Sequence, residues 1–385
     1  MKQLTINFLD EKYIEEFKEK YPSIKLKIIK PLKLNITQKY MMELPEYIPN
    51  NNFIFTKGIV SYEDPEIFNG IFYKKISNTV RYIYYPSPRE ELNEKKFYNS
   101  DLDIKPKYPL YIISKGRWET RLTSKSLEEL NLDYKIVIEQ SEYEKYSTVI
   151  NPDKILIIPD EYFTKDVGGS IPARQFVWNH SLKEGHKKHW ILDDNIRGFY
   201  RINNSAKYKL KTGIFFHIIE KYCDRFTNIG LSGMIEYKFA PSINQYRRKI
   251  FTENTRIFSC ILVNTELLTE KNIEKWRGIY NEDADLSIRV LKAGLTTWLS
   301  NQFVINKMTT MSMKGGNTSG IYQGNGLSKK TDSLIKQHPD VVKRMFRFSK
   351  DHFYINYKTF KQNKYILKED EIGENLINEY KMFIE

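Results

Sequence analysis

Between residues 110 and 196, short apolar runs alternate with stretches of helical spacing. LYIIS (110–114), YKIVIE (134–139), KILIIP (154–159) and HWILDD (189–194) read as strands. They are short apolar runs, the signal of strands rather than helices. TRLTSKSLEEL (120–130) brings Leu122, Leu127 and Leu130 to one side, which predicts a helix. PARQFVWNHSLKEG (172–185) predicts another, because it opens with proline and closes with glycine. Further on, GIFFHIIEKYCDRF (213–226) reads as a helix, and NIGLSGMI and FSCILVN read as strands. IYNEDADLSIRVLKAG (279–294) is an acidic turn opening a helix that stops at Gly294, and TTWLSNQFVINK follows as a strand. Strands alternating with helices predict parallel βαβ units in an α/β fold, with ligands at the carboxyl ends of the strands. Arg117, Glu139 and Asp193–Asn195 all follow strands in that way.

The flanks have different patterns. Residues 1–107 hold β-rich runs (IKLKIIK, VRYIYY), turns at PEYIPNNN and YPSPREE, and a polar, proline-containing end, DLDIKPKYP. They predict an N-terminal accessory α+β domain without a chemistry-bearing motif. The βαβ region spans 108–326, and 327–385 predicts a helical, basic, aromatic-rich segment. Residues 329–368 carry eleven Lys/Arg against three Asp/Glu, with Arg344, Phe346, Arg347, Phe348, His352, Phe353 and Tyr354 interleaved. Such a segment can contact phosphates and stack on an extruded base. It can equally be an amphipathic helix with Val342, Met345 and Phe346 packed inward. The two readings suit different faces of one element.

Composition narrows the classes. A chain of 385 residues predicts two or three domains. Lysine and arginine total 61 against 48 acids, a net charge of +13, which favours a polyanionic partner. Two cysteines, Cys223 and Cys260, make neither a disulfide framework nor a zinc site and fit a reducing cytoplasm. No apolar run approaches the ~18 residues of a membrane span, and acids break the N-terminal stretch too early for a signal peptide. The expectation is a soluble protein of the cytoplasm.

Two acidic motifs carry the candidate chemistry. Asp193, Asp194 and Asn195 stack three oxygen-bearing side chains at a strand end, where carboxylates can converge on a hard divalent ion. The plain alternative is a solvated turn, since these are ordinary turn residues. Asn281, Glu282, Asp283 and Asp285 open a helix, where one carboxylate can serve as general base. The plain alternative there is favourable interaction of acids with the helix dipole.

Taken together, 89 residues apart after a nucleotide-type βαβ start, the two motifs resemble the GT-A glycosyltransferase arrangement of a DxD-like metal turn followed by an acidic helix start. The runs YPLYIISKGRWETRLTSKSLEELNLDYKIVIEQSEYEKY, ARQFVWNHSL, HWILDDNI, YNEDADLSIRVLKAG and MKGGNTSGIY further resemble the TET/JBP-associated glycosyltransferases, over about residues 108–326. That family occurs mainly in bacteriophages and is linked to sugar addition on hydroxymethylated bases in DNA. The resemblance implies a GT-A, Rossmann-like nucleotide-diphospho-sugar transferase domain, a nucleotide-sugar donor (UDP first), a DNA acceptor such as 5-hydroxymethylcytosine, and Mn²⁺ or Mg²⁺.

Carried over by position, it implies that Ser114, Lys115, Gly116 and Arg117 line the nucleotide, with Glu139 near the base or ribose. Arg174 and Asn179 would hold the sugar nucleotide. Asp193 would contact ribose and metal, Asp194 the metal, and Asn195 metal or sugar. Asp283 would be the base and Glu282 would bind sugar hydroxyls, with Asp285 structural. One departure stands out. No histidine occurs between His217 and His338 to complete a metal shell from the C-terminal side. Lys314 and the amides of Gly315, Gly316 and Asn317 are then candidates to stabilise the diphosphate. His186 and His189 lack partners for a metal site. Arg247 and Arg248, with Arg344 and Arg347, are candidate contacts to acceptor DNA. Three other classes keep parts of this pattern: a transferase acting on a glycan or protein, a nucleotidyltransferase releasing pyrophosphate, and a non-catalytic DNA-binding protein.

Overall fold

The computed structural model describes residues 105–368, apart from 166–167, 204–205, 211, 241–250, 309–325 and 348–349. Within residues 1–104 it describes positions 19 and 22 and five strands: β1 (Lys2–Phe8), β2 (Lys25–Ile28), β3 (Thr56–Tyr62), β4 (Tyr73–Ile76) and β5 (Thr79–Tyr82). Strands β1, β3 and β2 form one antiparallel sheet, and β4 pairs with β5.

The main sheet has ten strands. Its first half comprises β6 (Leu110–Ile113), β7 (Lys135–Ile138), β8 (Ile155–Ile157) and β9 (His189–Asp193), in the spatial order β8-β7-β6-β9 and all parallel. Beyond β9 lie β14 (Cys260–Val263), β12 (Ile229–Glu236) and β15 (Thr296–Lys307). Strand β14 runs antiparallel to both neighbours, which restores β12 and β15 to the direction of β9. The carboxyl ends of β6, β7, β9, β12 and β15 therefore share one edge. Three further strands, β10 (Ile196–Asn203), β11 (Ala206–Lys209) and β13 (Phe251–Glu253), complete the sheet on the β15 side. They lack the long apolar runs of the inner strands, and the sequence reading missed them.

Burial follows the two-residue period of the strands. Leu110 and Ile112 enter one core cluster, Tyr111 and Ile113 the other, and all four are buried. Helices α1 (Leu122–Glu129), α2 (Tyr143–Ser147) and α4 (Ile214–Cys223) bring Leu127, Tyr146 and Phe215 to the first cluster. Helices α3 (Ile171–Lys183), α5 (Thr265–Glu270) and α6 (Glu282–Lys292) bring Val177, Leu268 and Leu286 to the second. Each fully buried aliphatic side chain contributes about 1.5–3 kcal/mol, which anchors the strand ends that carry the site.

The C-terminal segment differs from the expected helix. Among the described residues only α7 (Gly326–Gln337) is α-helical; β16 (Val342–Arg347) and β17 (Lys350–Ile355) form an antiparallel hairpin, followed by a short 3₁₀ turn. Val341, Val342, Phe346, Phe353, Tyr354 and Ile355 are β-branched or aromatic and fit a pleated surface. Val342 and Ile355 are buried with α6 residues Ile288 and Leu291, whereas Phe346 is 71% exposed, so Phe346 does not pack inward as a helix would have placed it. No helix among the described residues is long and apolar enough to cross a membrane.

Candidate active site

A cavity of about 430 Å³ opens along the shared edge of strand ends. It is lined by Ser114, Lys115 and Arg117 after β6, Glu139 after β7, and Asp193, Asp194 and Asn195 at the end of β9. Arg174 from α3 and Glu282 and Asp283 from the first turn of α6 close the opposite wall. Ten of the residues anticipated from sequence thus meet in one place.

Local structure explains how each side chain is aimed. The turn after β9 is fastened from behind by Thr123 of α1, whose hydroxyl donates to the Asp193 carbonyl at 2.6 Å and accepts from the Ile196 amide at 2.9 Å. Asn281 precedes α6 in the left-handed region, at φ 56°, a conformation asparagine tolerates better than most residues. Its side chain donates to the Lys330 carbonyl at 2.8 Å, which ties the start of α6 to α7.

The acids are each matched by a cation. Asp193 accepts from Arg174 Nη2 at 3.0 Å and from Lys307 Nζ at 3.1 Å. Burial works to raise its carboxyl, but Lys307 and Arg174 outweigh it and hold the group below the ordinary range. Asp194 pairs with Arg117 and accepts from Ser114 Oγ at 2.8 Å. There burial wins, and the carboxyl is lifted although Arg117 and Ser114 pull the other way. Glu282 accepts from Ser170 Oγ at 2.6 Å and from Arg174 Nε at 3.2 Å. Asp283 accepts from Arg256 Nη2 at 2.6 Å and from the Ala284 amide at 2.7 Å. Lys115 reaches Glu139 at 2.5 Å. Gly116 is exposed and does not line the cavity; its amide donates to Glu142 Oε1 at 2.6 Å.

Residues 108–316 match the model of a family described as TET-Associated Glycosyltransferase. The chain belongs to that family. It is a glycosyltransferase, an activity that implies a sugar donor and an acceptor. No curated protein matches the chain.

Several expected residues of this glycosyltransferase lie elsewhere. Asn179 faces a second cavity on the outer side of α3, where it donates to the Tyr162 hydroxyl at 3.0 Å and accepts from Gln175. The three-to-four residue helical period turns it away from Arg174, so it does not join the strand-edge cavity. Arg344 is engaged by Asp332 and, at 2.7 Å, by Asp351. Arg247, Arg248, Lys314, Gly315, Gly316 and Asn317 lie outside the described residues, as does the side chain of Arg347. Asp285, expected to be structural, is fully buried and held by Arg277, Arg289 and His338. His189 is buried beside Thr265, and burial lowers its imidazole to about 3.

Other residues of the cavity had escaped the sequence: Ser170, Glu236, Arg256, Lys307 and Lys330. Glu236 and Lys307 terminate β12 and β15, so a reading that carried the strand-end rule past β9 would have found both. Ser170 and Arg256 have no such mark.

A divalent ion on the Asp193–Asn195 turn does not fit the donors present. Both carboxylates are taken by guanidinium and ammonium groups. Of the three side chains on this turn only Asn195 contributes a buried oxygen without a partner, its Oδ1, and one amide oxygen does not make a shell for a hard cation. Among the described residues no group of three His, Cys, Asp or Glu side chains is placed to hold a metal.

Proposed function

We propose that the protein is a GT-A glycosyltransferase that moves a sugar from a nucleotide-sugar donor, a UDP-sugar first among those to test, to a hydroxymethylated pyrimidine base in DNA. The observation that carries this is the convergence of the Asp193–Asn195 turn and the Glu282–Asp283 helix start on one cavity. Supporting the GT-A reading is the strand order β8-β7-β6-β9, whose chain order reverses between β6 and β9 beside the cavity, the position at which open α/β sheets bind ligands.

In this reading Ser114, Lys115, Arg117 and Glu139 bind the nucleoside end, and Arg174 and Glu282 bind phosphate and sugar. The acceptor hydroxyl oxygen attacks the anomeric carbon on the face away from the diphosphate. Its proton passes to Asp283, the bond from the anomeric carbon to the diphosphate oxygen breaks with its electron pair on that oxygen, and the configuration inverts. Supporting a flat acceptor are Phe163 and Phe239, which line the same cavity while 44% and 58% exposed. The net charge of +13 suits a polyanionic one.

The test is mass spectrometry of nucleosides from hydroxymethylcytosine-containing DNA incubated with the protein and a panel of nucleotide sugars. Unmodified DNA and Asp283→Asn run alongside. A pentose or hexose mass gain that needs both the hydroxymethyl group and Asp283 supports the proposal. Donor hydrolysis without any gain keeps the transferase and removes this acceptor.

A further inference from the structure

The donor cavity carries its own cations. Seven basic and six acidic side chains line it, so its formal charge is positive by one. A cavity that gathers a divalent ion between its carboxylates and a diphosphate is expected to show the opposite balance, because the carboxylates must be available to the ion. Here the carboxylates instead hold cations in position.

Two of those cations have hydrogen-bonding capacity left over. Lys307 is largely buried at the end of β15, with Nζ 3.1 Å from Asp193 Oδ2 and 2.6 Å from Ser259 Oγ. An ammonium has three N–H donors, and only these two bonds have partners among the described residues. Arg174 is 3% exposed; its Nη2 and Nε serve Asp193, Glu282 and Ser170, while Nη1 is buried with no partner among the described residues. A buried donor left unpaired is costly, so both groups are poised to gain from an anionic ligand. Lys330 also lines the cavity and is close enough to Asp283, Glu282 and Lys307 to feel their charges.

We propose that Lys307 and Arg174, with Lys330 beside them, replace the divalent ion and stabilise the departing diphosphate directly. The inference rests on the donor-site reading above. As the bond to the anomeric carbon breaks, its electron pair settles on the diphosphate oxygen, and the new negative charge meets fixed positive charges already held in a largely buried site. No further reactant is required. Asp193 acts as a positioning residue that aims Lys307 and Arg174, and the Asp193–Asp194 pair is kept compact by guanidinium and ammonium groups.

The experiment is calorimetric titration of the full chain with UDP, and with GDP, CDP, ADP and dTDP in case the base differs, before and after chelator treatment and with added Mn²⁺. Affinity for the preferred diphosphate is expected to stay within about twofold across the three conditions, since every charge on the diphosphate is met by the chain itself. Lys307→Met is expected to weaken that diphosphate about ten- to a hundredfold while leaving the matching nucleoside unchanged. Lys307→Arg is expected to recover most of the loss. Abolition of binding by the chelator with restoration by Mn²⁺ overturns the proposal. So does a Lys307→Met protein that binds the diphosphate as the parent does. Failure of every nucleoside diphosphate to bind, with or without Mn²⁺, removes the donor site itself and this inference with it.

Discussion

Arg256 donates from Nη2 to Asp283 Oδ2 at 2.6 Å, so the carboxylate proposed as base is tied to a cation. Burial alone would raise the Asp283 carboxyl, but Arg256 above all, with Arg174 and Lys330, holds it below the ordinary range. At neutral pH the group is therefore ionised and able to take a proton. Its basicity is lowered by the same pairing, so proton transfer has to coincide with attack rather than precede it.

This pairing fixes the direction of a pH effect. Asp283→Asn should reduce kcat about 10²- to 10⁴-fold. Arg256→Leu should move the acid limb of the kcat/KM profile to higher pH, because the carboxyl loses its main stabilising charge and stays protonated further up the scale. A transfer assay between pH 4 and 9 checks it, and a limb that stays in place removes Asp283 from the base role.

The legible part of the site was the part that disturbs a local pattern. Asp193 and Asp194 interrupt an apolar run, and Glu282 and Asp283 open a helix, so both were visible in short windows. Their partners were not. Arg256 lies in a loop, 27 residues from Asp283, and nothing in its neighbours separates it from a solvated arginine. Ion pairing in a folded chain depends on which strand ends become neighbours, and the order of β12, β14 and β15 is not written in any one segment. The C-terminal hairpin failed for a different reason. Val342, Met345 and Phe346 satisfy a helical spacing by chance, while the β-branched and aromatic residues around them favour strand. The inner strands and α1, α3, α4 and α6 were recovered because their periodicity is local.

Arg174 joins the two acidic motifs through Asp193 at 3.0 Å and Glu282 at 3.2 Å, and its guanidinium lies 4.9 Å from the Trp276 ring. Arg174→Leu leaves Glu282 without its cation and Asp193 with Lys307 alone in a largely buried site, and the expected loss is about 3–5 kcal/mol. Adding Glu282→Gln should recover part of it, since one uncompensated charge is removed. Urea denaturation of the single and double variants reads both numbers. Equal stability of parent and Arg174→Leu would mean that water reaches the pair freely.

Phe239 is the aromatic most exposed on the cavity lining. Stacking on a base contributes about 1–3 kcal/mol, so Phe239→Ala should raise the acceptor KM about five- to a hundredfold. Donor affinity should not move, and Phe239→Tyr should behave as the parent. Steady-state kinetics with the DNA acceptor varied separates these effects, and a change confined to kcat would place Phe239 outside the acceptor contact.

Glu220 offers a prediction about stability rather than catalysis. It lies fully buried on α4 and accepts from Trp190 Nε1 at 2.7 Å and from the backbone amides of Lys107 and Tyr108 at 2.7 and 3.3 Å. These bonds fasten the entry of the sheet domain to α4. Burial pushes its carboxyl up to about 7 from 4.5, against the pull of those donors. The folded state therefore binds the proton more tightly than the unfolded chain, so the contribution is fully present below the unfolded value and is lost as pH rises toward 7. The size is on the order of 3 kcal/mol. Glu220→Gln keeps an acceptor without a titrating group and should flatten that decline, which thermal melts from pH 4.5 to 8 will show. A parent and variant whose melting temperatures fall in parallel would mean that Glu220 is charged throughout and that its three donors outweigh its burial.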